Sequence, residues 1–134
     1  MANPSQFEVV HQYNYMVAST TIASSVADTY FFVAPAVCTV VGISAVHAVA
    51  GDDSGAVSGT IRRCQGTEAP ASGDDLLGTT KINFKATANT VQSPELTGTT
   101  ANLTLAAGDR LALDVTGTTT NLAGVTITVL LQHA

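Results

Sequence analysis

The residues able to do chemistry in this 134-residue chain are few and scattered. The histidines are His11, His47 and His133, the cysteines are Cys38 and Cys64, and the acidic pairs are Asp52-Asp53 and Asp74-Asp75. Nucleophilic or acid–base catalysis needs a base beside a nucleophile and a third group that orients the base. No spacing here supplies that set, and no Gly-x-Ser-x-Gly elbow, phosphate loop or dinucleotide fingerprint occurs. A calcium loop needs about six to eight oxygens in a defined pattern, which neither acidic pair provides. Two cysteines without a cysteine–histidine cluster do not make a zinc site. The acidic pairs therefore read as solvated turns. His47, within a mostly apolar run, reads as a hydrogen-bonded core or interface residue. The sequence assigns no catalytic residue, no cofactor and no metal ligand, and the chain is expected not to be an enzyme.

Arg62-Arg63 is the one basic pair. Neighbours on a strand point to opposite faces, so one of these side chains must leave the solvent face. Either it snorkels to the sheet edge, or it pairs with an acidic group on another subunit.

The segments that would carry these residues are strands. Leu103–Gly117 reads as strand, corner and strand: Leu111, Leu113 and Val115 alternate with Arg110, Ala112, Asp114 and Thr116. Gly108-Asp109 supplies the corner, since Gly tolerates positive φ and Asp can bond nearby backbone. Val125, Ile127 and Val129 repeat the alternation in the last strand. Residues 14–22 form a first strand with Met16, Ala18, Thr20 and Ile22 on one side, and Asp28–Val33 a second, ended by Pro35. Val37–Ala50 is the longest run and is apolar at both parities, which predicts burial on both faces or a subunit contact. Gly51–Gly55 turns the chain into a strand over Ala56–Gln65, with Val57 and Ile61 facing in. Asp75-Leu76-Leu77 reads as a single helical turn, and Lys81–Thr87 as a further strand. About eight short strands separated by turn signals predict an all-β fold: a two-sheet antiparallel β-sandwich, jelly-roll-like. Residues 1–12 carry no period and read as an N-terminal arm, with residues 13–134 as a single domain.

Composition limits the partners. Charged residues are 11% of the chain, against roughly 25% in an average protein. The shortfall fits a surface of Thr and other small polar groups, a surface covered by partners, or both. A net charge of −5 argues against nucleic acid, whose phosphates call for Lys and Arg. No apolar run is long enough to span a membrane as a helix. The opening residues lack a basic and then apolar leader, which points to synthesis and folding in a cytoplasm. In that compartment Cys38 and Cys64 are expected to be free, buried thiols. Placed on a hairpin around Gly51–Gly55, they would also be out of register for a bridge. The arm holds Phe7, Val9, Val10, Tyr13 and Tyr15 at its apolar positions, and these are the candidate partner-binding residues.

Several stretches together resemble a known group. They are Val-Ala-Pro at 33–35 leading into the Val/Thr strand, Ala48-Val-Ala-Gly-Asp-Asp-Ser-Gly-Ala-Val57, and Thr79–Thr90. Leu105-Ala-Ala-Gly-Asp-Arg-Leu-Ala-Leu113 and Gly124-Val-Thr-Ile-Thr-Val129 complete the pattern. Over about three quarters of its length the chain resembles the small virion proteins of tailed bacteriophages, of the head-decoration or cement type. The resemblance implies a non-enzymatic structural protein on the capsid exterior, a homotrimer that bridges subunits of the major capsid protein. The alternative is a trimeric fibre or adhesin head that binds a receptor or glycan.

Overall fold

The computed structural model describes residues 14–133. Nine strands form two antiparallel sheets. The first sheet has the order β1 (Tyr15–Ile22), β9 (Ala123–His133), β3 (Cys38–Val49) and β7 (Thr104–Leu105). The second has β2 (Thr29–Val33), β8 (Arg110–Thr116), β4 (Ser58–Cys64) and β5 (Asp74–Asp75), with β6 (Ile82–Asn83) also paired to β4. The chain changes sheet at each connection except those from β4 through β5 to β6. This winding of two interleaved antiparallel sheets is that of a jelly roll.

The sandwich forms because alternating residues meet between the sheets. Val125, Ile127, Val129 and Leu131 of β9 are fully buried, as are Leu111 and Leu113 of β8. Val115, expected in the core, is only partly buried and packs against it from the next-to-last position of β8. On β1, Met16, Ala18, Thr20 and Ile22 face inward while Tyr15, Val17, Ser19 and Thr21 are exposed.

The sequence expectation for β3 needs correction. Its apolar residues at both parities do not mean two buried faces. The register with β9 shifts between Val40 and Gly42. A bulge of this kind adds one residue and reverses which parity faces in. The inward set is therefore Cys38 and Val40 before the bulge, and Ile43, Ala45 and His47 after it. Val41 stands at the bulge, exposed.

The hairpin expected around Gly51–Gly55 is also absent. β3 and β4 lie in different sheets, so that connection crosses the sandwich. Cys38 and Cys64 are both buried free thiols on opposite sheets. Likewise β7 and β8 flank the Gly108 corner without pairing: β7 joins β3 and β8 joins β2 and β4. At that corner Gly108 adopts φ 90°, and the Asp109 carboxylate accepts from Ala106 N–H at 2.9 Å and from Gln65 Nε2 at 3.1 Å.

Residues 74–77 hold no helical turn. Asp74 and Asp75 form the short strand β5; turns of 3-10 helix lie at Pro70–Ser72 and at Thr100–Leu103. Of the expected strand over Lys81–Thr87, only Ile82–Asn83 is paired. The alternation still holds there: Ile82 and Phe84 are fully buried, while Asn83 and Lys85 are exposed. Phe84 caps one end of the core, tied by Phe84 N–H to the Val57 carbonyl and by the Gly51 N–H to its own carbonyl, each at 2.9 Å.

Candidate interaction surface

The two outer faces of the sandwich differ in chemistry. The second sheet carries charge, and its charged side chains find partners within the chain, the buried Nε of Arg63 excepted. Arg62 Nε donates to Asp114 at 2.7 Å and its Nη1 to the Gly73 carbonyl at 3.0 Å. Lys81 Nζ donates to Asp75 at 2.7 Å, and the Thr60 hydroxyl donates to the same carboxylate. Burial would push the Asp75 pKa up, but the bonds from Lys81, Thr60 and the Leu77 N–H outweigh it and hold the carboxyl below its ordinary value. The Arg110 guanidinium lies 5.2 Å from the centre of the Tyr30 ring, in cation–π range.

Arg63 takes the first of the two courses expected from its sequence and reaches the edge of its sheet, where β5 lies. It stays within its own chain, reaching across the side of the sandwich to Asp74 at 2.7 Å and to the carbonyls of Thr104 and Ala101 at 2.8 and 3.1 Å. Asp74-Asp75 is likewise an ion-paired strand and not a solvated turn.

The first sheet carries no such groups. β1, β9 and β3 contain no Asp, Glu, Lys or Arg. Their outer face is arranged in rows fixed by register. Tyr15, Gln132 and Thr39 form one row, and Val17, Leu130 and Gly42 the next. Ser19, Thr128 and Ser44 follow, then Thr21, Thr126 and Val46. The Thr21 and Thr126 hydroxyls bond each other at 3.0 Å, and Ser19 Oγ donates to the Ile127 carbonyl at 3.0 Å. One end of the face is thus apolar and the rest is hydroxyl-lined.

The apolar end is well exposed for its type: Val17 63%, Tyr15 52%, Val41 41% and Leu130 38%. Gly42 faces Leu130 without a side chain of its own. A shallow groove results, lined by Gly42, Ile43, Ser44, Ser93, Thr128 and Leu130. The bulge in β3 therefore also shapes this surface. The sequence singled out Tyr15 and the run that holds Val41, but missed Val17 and Leu130. The signal was present: three strands without one charged residue. Phe7, Val9, Val10 and Tyr13 lie outside the described residues.

No catalytic arrangement is assembled among the described residues. His47 is buried, its Nε2 lying 2.8 Å from the Ala86 carbonyl and its ring edge-on to Phe84. A carbonyl only accepts, so Nε2 carries the proton, and Nδ1 is left without a partner. Both thiols have raised pKa values, through burial first; Asp109 adds to the effect at Cys38. They are poor nucleophiles as they stand. No three His, Cys, Asp or Glu converge to hold a metal among the described residues. A cleft at one end of the sandwich is lined by Ser24, Ser25, Thr119, Asn121 and their neighbours. It offers hydroxyl and amide groups but no charge and no aromatic ring.

Comparison of the chain with known protein families, curated proteins and solved structures returns no match.

Proposed function

We propose that this protein is a non-enzymatic structural component of a tailed-phage virion, which attaches to the outside of the head and bridges subunits of the major capsid protein. The observation that carries this reading is the outer face formed by β1, β9 and β3, which has no charged residue and an exposed apolar end. A free-standing surface usually intersperses both signs of charge for solubility. A face kept free of charge suits permanent contact, where unpaired ions would have to lose their water. The jelly-roll winding and the sequence resemblance agree with this role.

In this reading Val17, Val41 and Leu130 are the anchors, and the hydroxyl rows supply the polar rim. The arm residues Phe7, Val9, Val10 and Tyr13 enter the contact beside Tyr15. Attachment depends little on salt, since the contact contains no ion pairs to screen. Co-sedimentation with undecorated phage heads tests this. Wild-type protein should pellet with the heads at low and high salt alike, and Leu130→Asp should stay in the supernatant while remaining folded.

The second reading is a fibre or adhesin head that binds a receptor or glycan, and the hydroxyl-lined cleft near Ser24 and Asn121 favours it. Binding to glycans but never to heads would select it.

A further inference from the structure

Among the described residues the first sheet has one open edge. Its far side is occupied, because β7 pairs with the start of β3, and Ala45 exchanges backbone bonds of 2.9 and 2.8 Å with Gln92. Among the described residues no strand lies beyond β1. The outer strand of the second sheet, β2, is guarded: it has five residues, its register breaks between Tyr30 and Phe32, and Pro35 follows it. Such features blunt an edge against unwanted pairing. β1 has none of them. It runs eight residues in unbroken register, without Lys, Pro or bulge.

The outward backbone groups of β1 follow from the ladder. Ala45 turns its N–H and C=O to Gln92, away from β9. Its partner Ile127 must then turn its own groups to β1, where it faces Thr20. Alternation places the even-numbered residues of β1 toward β9 and leaves Tyr15, Val17, Ser19 and Thr21 with N–H and C=O pointing outward. The bond from the His133 N–H to the Asn14 carbonyl, at 2.6 Å, fits the same phase.

We propose that β1 pairs antiparallel with β1 of a second copy, joining the two first sheets into one. The register follows from phase and side-chain direction together. Outward groups must meet outward groups, and exposed side chains must share a face. The register that meets both conditions with the most facing outward pairs sets Ala18 opposite Ala18, Val17 opposite Ser19 and Tyr15 opposite Thr21. It closes about eight backbone hydrogen bonds, since each facing pair of outward residues exchanges two. Charge favours the same surface. Each chain carries −5, so contact through most other surfaces sets acidic groups against each other, whereas β1, β9 and β3 bring no charge to the seam. Pairing of this kind is isologous and ends at two copies. It differs from the trimer implied by the resemblance and does not depend on the head-protein reading.

The test is sedimentation equilibrium of the full chain from low to high micromolar concentration, for the wild type and for Val17→Pro. Val17 donates nothing to β9, so proline there removes an edge donor and leaves the intrachain ladder whole. The wild type should reach the mass of two copies, and V17P should weaken association by roughly tenfold or more with an unchanged circular dichroism spectrum. Ala18→Cys covers the case in which V17P does not fold. Facing residues at a non-hydrogen-bonded position lie about 4.5 Å apart at Cα, within reach of a disulfide. A18C should therefore cross-link between copies under mild oxidation. A wild-type monomer throughout, a mass of three copies, undiminished association of folded V17P, or failure of A18C to cross-link would each overturn the proposal.

Discussion

Arg63 and Thr104 tie the two sheets together: the guanidinium on β4 donates to the Thr104 carbonyl at the start of β7, at 2.8 Å. The same side chain holds the Ala101 carbonyl and Asp74, and only 13% of it is exposed. Its removal strips donors from two carbonyls and a carboxylate at once. Arg63→Ala should cost about 1.5–3 kcal/mol, the range for hydrogen bonds to charged groups. Urea unfolding of R63A against wild type measures this directly.

Asp75 makes stability depend on pH. Its folded-state pKa lies below the unfolded value, so its contribution is complete above the unfolded pKa and is lost as pH falls through the folded one. Asp75→Asn should be less stable than wild type at neutral pH, and the gap should narrow in the acid range below the ordinary carboxylate pKa. Thermal melts across that range will show whether the curves converge.

Gly117 allows no side chain. It sits at φ 97°, and a β-carbon there would lie 2.1 Å from the Ala56 carbonyl oxygen. Backbone oxygen cannot rotate away, so Gly117→Ala must move the loop between β8 and β9. A loss of about 2 kcal/mol or more is expected in chemical denaturation.

Cys38 and Cys64 should resist modification in the native state. Both are fully buried, and burial raises both thiol pKa values. A thiol reagent should label neither quickly in native protein, and should label both once the chain is unfolded without reductant.

Much of the fold was legible from side-chain alternation. Burial of Leu111, Leu113, Val125, Ile127 and Val129 follows from a period of two, which depends only on local backbone geometry. What local pattern cannot carry is the partner of each strand. The run Val37–Ala50 looked two-faced because one extra residue at Val41 reverses the parity midway, and alternation counted through a bulge averages the two phases. The crossing from β3 to β4 was likewise hidden. Gly51–Gly55 has the composition of a hairpin turn, but the backbone bonds of its flanks go to Phe84 and to other strands. The pairing of Arg63 with Thr104 joins residues far apart in sequence and leaves no local trace. The candidate surface was half legible: the low charge content was plain, but the gathering of three uncharged strands into one face appears only when β1, β9 and β3 are placed side by side.

On the proposed function, the uncharged outer face of the first sheet is the surface that attaches to the head. Co-sedimentation of Leu130→Asp with undecorated heads, beside wild type and beside Lys85→Ala, tests it most directly. Lys85 is exposed outside that sheet and serves as the control. Wild type and K85A should pellet with the heads, and folded L130D should not. Attachment of folded L130D equal to that of wild type would contradict it.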